Sequence, residues 1–274
     1  MSQMRVAVAA VVACLCSATG VRSFSQQPGA RIDGVPSQPS PTPVIVELFT
    51  SEGCEDCPPA DTVLARLIAE QPVAGAEVIG LGEHVDYWDQ LGWKDRFSSA
   101  ALTNRQQVYG TRFNIDSVYT PQMVVDGRAQ LVGSDSNAAR KAIERAVAGA
   151  HATLTVTIAS ASGRSAAANI TVADLPRLGR GDHADIHVAV TEDHVTTDVK
   201  RGENRGRTLT HAAVVRSLTT VGQVAPDGHA SVRAEIPLGA DWRRDQLKIV
   251  AFVQEQRGRA ILAAAAVPLQ TARR

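Results

Sequence analysis

The sequence predicts an α/β unit followed by an all-β unit, and three observations carry that prediction. The apolar pattern changes near residue 150. Before it, strand-like runs alternate with helix-like stretches, and after it short alternating runs follow one another between clusters of Gly, Pro, Asp and Asn. Aromatic residues are concentrated: of five Phe, three Trp and three Tyr, eight lie between Phe49 and Tyr119. The four cysteines fall as two pairs, Cys14/Cys16 and Cys54/Cys57.

The chain has 274 residues, with 28 basic and 28 acidic side chains. A net charge of zero excludes a protein that coats nucleic acid through a basic surface, and also an acidic disordered chain. Two cysteine pairs in so long a chain exclude a disulfide-stapled miniprotein.

Residues 1–20 read as a signal peptide. One Arg precedes an unbroken apolar run, Val6 to Cys16, and small residues follow. That run is too short to span a membrane, which needs about 20 residues. Residues 21–43, rich in Pro, Ser, Gln and Gly, read as a disordered tether. The expected location is periplasmic or secreted. The alternative is a lipoprotein, because Val11-Val12-Ala13-Cys14 resembles a lipobox. Lipidation at Cys14 is the only expected route to a membrane.

Residues 44–150 give the order β-α-β-α-β-β-α. Val44 to Thr50 is a buried strand, and Pro58 to Glu70 places Val63, Leu64, Leu67 and Ile68 on one helical face. Val78 to Leu81 is a short strand and Ser98 to Tyr109 a helix. Gln122–Val125 and Ala129–Val132 form a hairpin around Asp126-Gly127. Ser134-Asp135-Ser136 starts a last helix running through Ala148. Residues 151–274 contain eight candidate strands: Thr153–Ala159, Ala167–Val172, Ala184–Thr191, Thr196–Val199, Leu209–Leu218, Ser231–Ile236, Leu247–Gln254 and Ala260–Pro268. That spacing predicts an immunoglobulin-like antiparallel sandwich. Residues 44–150 carry 15 acids against 9 bases and residues 151–274 carry 12 against 16, so the two surfaces attract weakly.

The chemistry centres on Cys54-Glu55-Asp56-Cys57, a Cys-x-x-Cys after a buried strand and before Pro58-Pro59 and a helix. Backbone N–H groups and the helix dipole favour a thiolate there. The spacing lets one thiol attack and the other resolve. This context is that of a thioredoxin-like site. Two further residues fit it. Pro121, after Thr120 and just before a strand, is the candidate cis-proline that holds a substrate backbone. Glu47, on the entering strand, is a candidate proton handler for the resolving thiol, or else an edge or solvent-facing carboxylate. The acids Glu52, Glu55 and Asp56 oppose thiolate formation, which leaves the redox direction open.

A second constellation runs from His84 to Asp95, HVDYWDQLGWKD. Tyr87 and Trp88 could form a substrate platform, and His84 or Asp86 could exchange protons. Structurally, the same aromatics could pack the two parts together. The Arg201–Arg207 stretch reads as a charged hairpin turn facing the acidic first part.

VELFTSEGCEDCPPAD, HVDYWDQLGWKD, VYTPQMVVDG and RGENRGRTLTHAAVVRSL, in this order, resemble the DUF1223 family of exported bacterial proteins. The resemblance covers about residues 44–267. It implies a thioredoxin-like domain followed by a β-rich domain, and no settled activity. The family commonly has small or polar residues between the cysteines, where this chain has Glu55 and Asp56.

The function expected is an exported thiol–disulfide oxidoreductase in which Cys54 attacks and Cys57 resolves. It needs no cofactor. It acts on a protein or small thiol and is recycled by a redox partner. Two alternatives stand beside it. One is a carrier of copper or another soft metal, using both thiolates and His84. The other is a non-catalytic binding module with a structural disulfide. An exposed Cys54 sulfur near Pro121 favours the first reading, and a buried disulfide favours the last.

Overall fold

The computed structural model describes residues 40–269. The expected signal peptide and residues 21–39 of the tether lie outside the described residues. Among the described residues there are three α-helices: α1 (Cys57–Glu70), α2 (Ala100–Phe113) and α3 (Ser136–Val147). The first part supplies strands β1 (Thr42–Thr50), β2 (Ala76–His84), β3 (Gln122–Val125) and β4 (Ala129–Val132). The second part supplies β5 (Thr153–Ala161), β6 (Ser165–Ala173), β7 (Ala184–Glu192), β8 (Val195–Asp198) and β9 (Thr208–His211). It continues with β10 (Val214–Gln223), β11 (Ala230–Pro237), β12 (Leu247–Glu255) and β13 (Ile261–Pro268). The expected strand Leu209–Leu218 is two strands, β9 and β10.

Local chemistry sets the element ends. Pro58 and Pro59 occupy the first turn of α1, where a missing N–H is harmless. Ser99 caps α2 by accepting from Leu102 N, and Asp135 caps α3 by accepting from Ala138 N. Asp126 and Gly127 adopt φ of 46° and 61°, the left-handed pair that a tight β3–β4 turn requires.

The fold class is where the structure departs from expectation. A thioredoxin-like α/β domain followed by a separate immunoglobulin-like sandwich is not what forms. Strands of both parts join one mixed eight-stranded sheet, in the order β13-β12-β7-β10-β2-β1-β3-β4. The junction is narrow. β10 runs parallel to β2 through Val214 opposite Gly82, and Gly82 N donates to Ala213 O at 2.8 Å. A side chain at Gly82 would meet the Ala212 carbonyl at 3.1 Å, so glycine permits this approach.

The physical reason lies in β7 and β12. Most of their residues are buried, whichever face they point to. A strand buried on both faces needs two covers, and an isolated two-sheet sandwich supplies one. The first cover is a three-stranded sheet, β11-β6-β5, which packs Ala168, Ile170 and Ile236 against Ile186, Val188 and Val253. The second comes from the first part: Ile45, Ile79, Leu81 and Leu102 pack against Val250, Phe252 and Ile261. The opposite face of β1 buries Val44, Val46 and Leu48 under Ala60 and Leu64 of α1 and Ile143 of α3.

Candidate functional site

The turn after β1 carries Cys54, and Cys57 begins α1. The two are joined in a disulfide. Cys57 N donates to Cys54 O at 3.3 Å, which closes the turn. Both cysteines are buried, at 1% and 0% relative exposure, while Glu55 and Asp56 between them face solvent.

The cover over this turn comes from the loop between β8 and β9, residues 199–207. Asn204, fully buried, donates through Nδ2 to the carbonyls of Glu52 (3.0 Å) and Cys54 (2.8 Å). Its Oδ1 accepts from Arg207 Nη1 at 2.8 Å. Glu203 Oε2 accepts from Glu55 N at 3.1 Å. Gly202 lies against Trp93, whose Cβ sits 3.1 Å from where a glycine side chain would begin. The RGENRGR stretch is indeed a hairpin loop, and it caps the disulfide turn.

Beneath the turn lies a buried ionic cluster. His211, at the end of β9, places Nε2 3.6 Å from Glu52 Oε1 and Nδ1 3.5 Å from Asp61 Oδ2. These are ion pairs at the edge of contact, and neither ring nitrogen makes a hydrogen bond. Burial alone would lower the imidazole's pKa. Asp61 and Glu52 outweigh it and raise His211 to about 10. Glu52 also accepts from Trp93 Nε1 at 2.8 Å, and Asp61 from Thr50 Oγ1 at 3.0 Å. A neighbouring pair joins His84 Nδ1 to Asp95 Oδ2 at 2.6 Å. Asp95 also accepts from the backbone N–H groups of Glu52 and Phe97. Burial would raise the Asp95 carboxyl, yet His84 and these donors hold it down at about 2. The His84 and His211 rings meet edge to face, with centroids 4.8 Å apart.

The other residues singled out in the sequence divide into two groups. Thr120-Pro121 is a cis peptide, and Trp88 Nε1 donates to Thr120 Oγ1 at 2.8 Å. Pro121 and Ala60 of α1 crowd the same point beside Gly133, at 3.2 and 3.0 Å, which puts Pro121 beside the first turns of α1. Tyr87 donates to Gln106 Oε1 at 3.2 Å. Trp88, Thr120 and Pro121 thus gather near the disulfide turn. Asp86 and Glu47 do other work. Asp86 Oδ1 accepts from Thr103 Oγ1 at 2.6 Å and anchors α2.

Glu47 is fully buried, not at an edge or in solvent. It shares the face of Ile45, away from α1. Arg105 Nε and Tyr109 OH both donate to it at 2.6 Å. Gln254 of β12 joins the same network, accepting from Arg105 Nη1 and donating to Tyr109 OH.

Sequence reasoning did not single out Asp61, Asp95, His211 and Asn204, and it weighed Glu52 only as an unfavourable neighbour. Asp61 was legible in retrospect, as an acid on the buried face of an amphipathic helix. His211 and Asn204 come from some 150 residues away and gave no local signal. Among the described residues, no group of three or more His, Cys, Asp and Glu side chains is arranged to hold a metal ion. No helix among them is long and apolar enough to cross a membrane.

Fold and site together define a β-rich protein with a Cys-x-x-Cys disulfide at a helix start, covered by a hairpin from its own second part. The chain belongs to the DUF1223 family, described as a protein of unknown function, whose pattern matches residues 45–254. No curated protein matches it. Among solved structures it is similar to protein AGR_C_4864 from Agrobacterium tumefaciens. The TM-score is 0.64 at 28% identity, covering 86% of this chain and 98% of that one. It also shares its fold with HBP35 of Porphyromonas gingivalis, with a TM-score of 0.61 at 16% identity, covering 86% and 79%.

Proposed function

We propose that this protein is an exported thiol–disulfide oxidoreductase whose disulfide is reached when the 199–207 loop lifts. One observation carries the reading: a Cys-x-x-Cys disulfide opens a helix and is flanked on both sides by members of a buried His–carboxylate cluster. Glu52 precedes Cys54 by two residues, and Asp61 follows Cys57 by one helical turn. Positive His211 offsets those two acids, and Glu55 and Asp56 are exposed and screened by water, so the acidic sequence opposes a thiolate less than it suggests.

In the reaction a substrate thiolate attacks Cys54 Sγ. The Cys54–Cys57 bond breaks, and Cys57 leaves as a thiolate at the helix N-terminus. A second substrate thiolate then attacks the substrate sulfur of the mixed disulfide and releases Cys54. The substrate is oxidised by two electrons to a disulfide, and the protein is left as a dithiol that takes up the two thiol protons. The reverse sequence reduces a substrate disulfide. Pro121 and Thr120, with Trp88 and Tyr87 beside them, supply the rim for a protein or small thiol substrate. The His–carboxylate cluster, not Glu47, handles protons. A separate redox partner restores the starting state. The signal-like segment 1–20 supports export to the periplasm or beyond, with anchoring through Cys14 as the alternative.

A second reading is favoured by burial. Both cysteines are inaccessible as they stand, as in a binding module with a structural disulfide. A redox titration in glutathione separates the two, with Cys54→Ser and Cys57→Ser as controls. The oxidoreductase reading expects a potential above about −300 mV. It also expects Asn204→Ala to speed reduction by dithiothreitol at least about tenfold, the equivalent of ~1.4 kcal/mol from two lost hydrogen bonds. A lower potential together with an unchanged rate in Asn204→Ala makes the disulfide structural.

A further inference from the structure

A groove of about 610 Å³ runs between α2 and β10, lined by none of the disulfide residues. Its volume lies in the range of small-molecule sites. Val108 of α2, Leu218 of β10 and Trp242 line it, over a floor in which Leu102 and Val215 are packed together. The walls carry four arginines, Arg96, Arg105, Arg216 and Arg259, and no acidic side chain.

The four cations are not equally neutralised. Arg105 is paired with Glu47 behind the wall, and Arg216 with Glu192 and Asp241. Arg96 is exposed to water and stacks on Phe97, with its guanidinium carbon 4.5 Å from the ring centroid. Arg259 differs from all three. It is partly buried, and its Nη2 donates to the neutral Gln254 Oε1 at 3.0 Å. Its Nε is buried with no partner. Among the described residues no carboxylate forms an ion pair with it. Burial, and then the nearby Arg105, push its pKa below the ordinary arginine value. It also holds a φ of 60°, a left-handed backbone that long side chains seldom adopt. The Tyr109 ring centroid lies 5.7 Å from its guanidinium carbon, and Glu47 and Asp185 attract it from farther off, but among the described residues no anion touches it. A sheltered cation of this kind is costly, and a bound anion would relieve that cost.

The surroundings narrow the ligand's class. His187 beside Arg259 stays neutral, because burial and then Arg105 and Arg259 hold it at about 3. The site therefore offers one positive charge without a contacting anion at this end, with the Thr220 hydroxyl 3.2 Å from His187 Nδ1. A single negative charge matches it, and an apolar body suits Val108, Leu218 and Trp242, the apolar part of a lining that also holds Ser217 and Thr219.

We propose that this groove binds a monoanionic amphiphile, an organic carboxylate whose head sits on Arg259 and whose apolar body runs toward Trp242. The proposal is independent of the redox reading, since it uses none of the groups at the disulfide.

Calorimetric titration of the full chain with decanoate tests it, with decanol as the uncharged control and Trp242 fluorescence as a second readout. The expected result is saturable binding of one decanoate per chain, with decanol at least about tenfold weaker. Arg259→Gln should weaken decanoate at least tenfold and leave decanol unchanged. Ala101→Phe projects a ring into the groove from the exposed side of α2 and should weaken both. This second variant keeps the test decisive if Arg259→Gln folds poorly. Equal affinity for decanoate and decanol overturns the proposal. So does the absence of saturable binding up to about 1 mM, or wild-type binding in Ala101→Phe.

Discussion

Two buried ionic networks flank β1, and they are built to different standards. On the face toward β12, the carboxylate of Glu47 receives Arg105 and Tyr109 at 2.6 Å, and Gln254 ties both donors across to the second part of the chain. Glu83, beside it, makes no side-chain hydrogen bond. Burial and then Glu47 raise that carboxyl well above its usual range, against the pull of Arg105, whose Nε lies 3.4 Å away. Past the end of β1, beside the disulfide, His211 spans Glu52 and Asp61 at 3.5–3.6 Å and leaves both ring nitrogens without a hydrogen bond. His84 Nε2 and Glu52 Oε1 are unsatisfied there too. Tight, short hydrogen bonds fix a geometry, whereas loosely held titratable groups can change protonation without rebuilding the fold. The first network therefore reads as a structural tie, and the second as chemistry in reserve.

The largest expected effect tests the tie. Arg105→Met leaves Glu47 buried without its cation, held only by Tyr109, and should cost about 3–5 kcal/mol in urea unfolding, with the reduction potential unchanged where the protein still folds. A variant of near wild-type stability would erase the contrast between the networks.

His211→Asn comes next. It leaves Glu52 and Asp61 without their cation and should cost ~2–3 kcal/mol at pH 7. It should also shift the reduction potential, which Arg105→Met does not. The pH dependence has a defined sign. An unfolded histidine titrates near ~6.5 and folded His211 at about 10. Its stabilisation is therefore complete below about pH 6.5 and is lost as pH rises through about 10. Urea midpoints across that window should fall for the wild type and stay flatter for His211→Asn. Parallel curves would show that His211 is not the titrating group.

Trp93→Phe should have the smallest effect, because it removes one hydrogen bond to Glu52 and keeps the ring against Gly202. The expected loss is about 1 kcal/mol, with somewhat faster reduction of the disulfide as the cap loosens. A larger loss would show that Trp93, rather than Asn204, fixes the loop.

The local parts of the site were legible in the sequence. Strand, Cys-x-x-Cys, double proline and helix are neighbours in the chain. Their geometry follows from short-range rules about helix starts and buried strands, and so does the Asp126-Gly127 turn. Glu47 could be placed on its strand but not on its face, because Arg105, which bonds it, lies 58 residues away, and Gln254, which ties Arg105 in place, lies a further 149 residues along the chain. The spacing of Ala184–Thr191 and Leu247–Gln254 predicts strands of an antiparallel sandwich. Their central stretches, Ile186–Val190 and Ile249–Val253, depart from alternation and are almost wholly apolar, the mark of strands covered on both sides.

By itself the sequence determined where most strands and helices lie and that two cysteines meet at a helix start, but not the break between β9 and β10. Those outcomes depend on residues within a turn or two of one another. Only the tertiary structure decided that both parts share one sheet, that Asn204 closes over the disulfide, and that His211 sits between Glu52 and Asp61. The physical reason is that buried polar and apolar surface must find partners wherever the chain brings them. Here β7 and β12 could be covered on their second face only by the first part of the chain, and that packing carried the β8–β9 hairpin onto the cysteines.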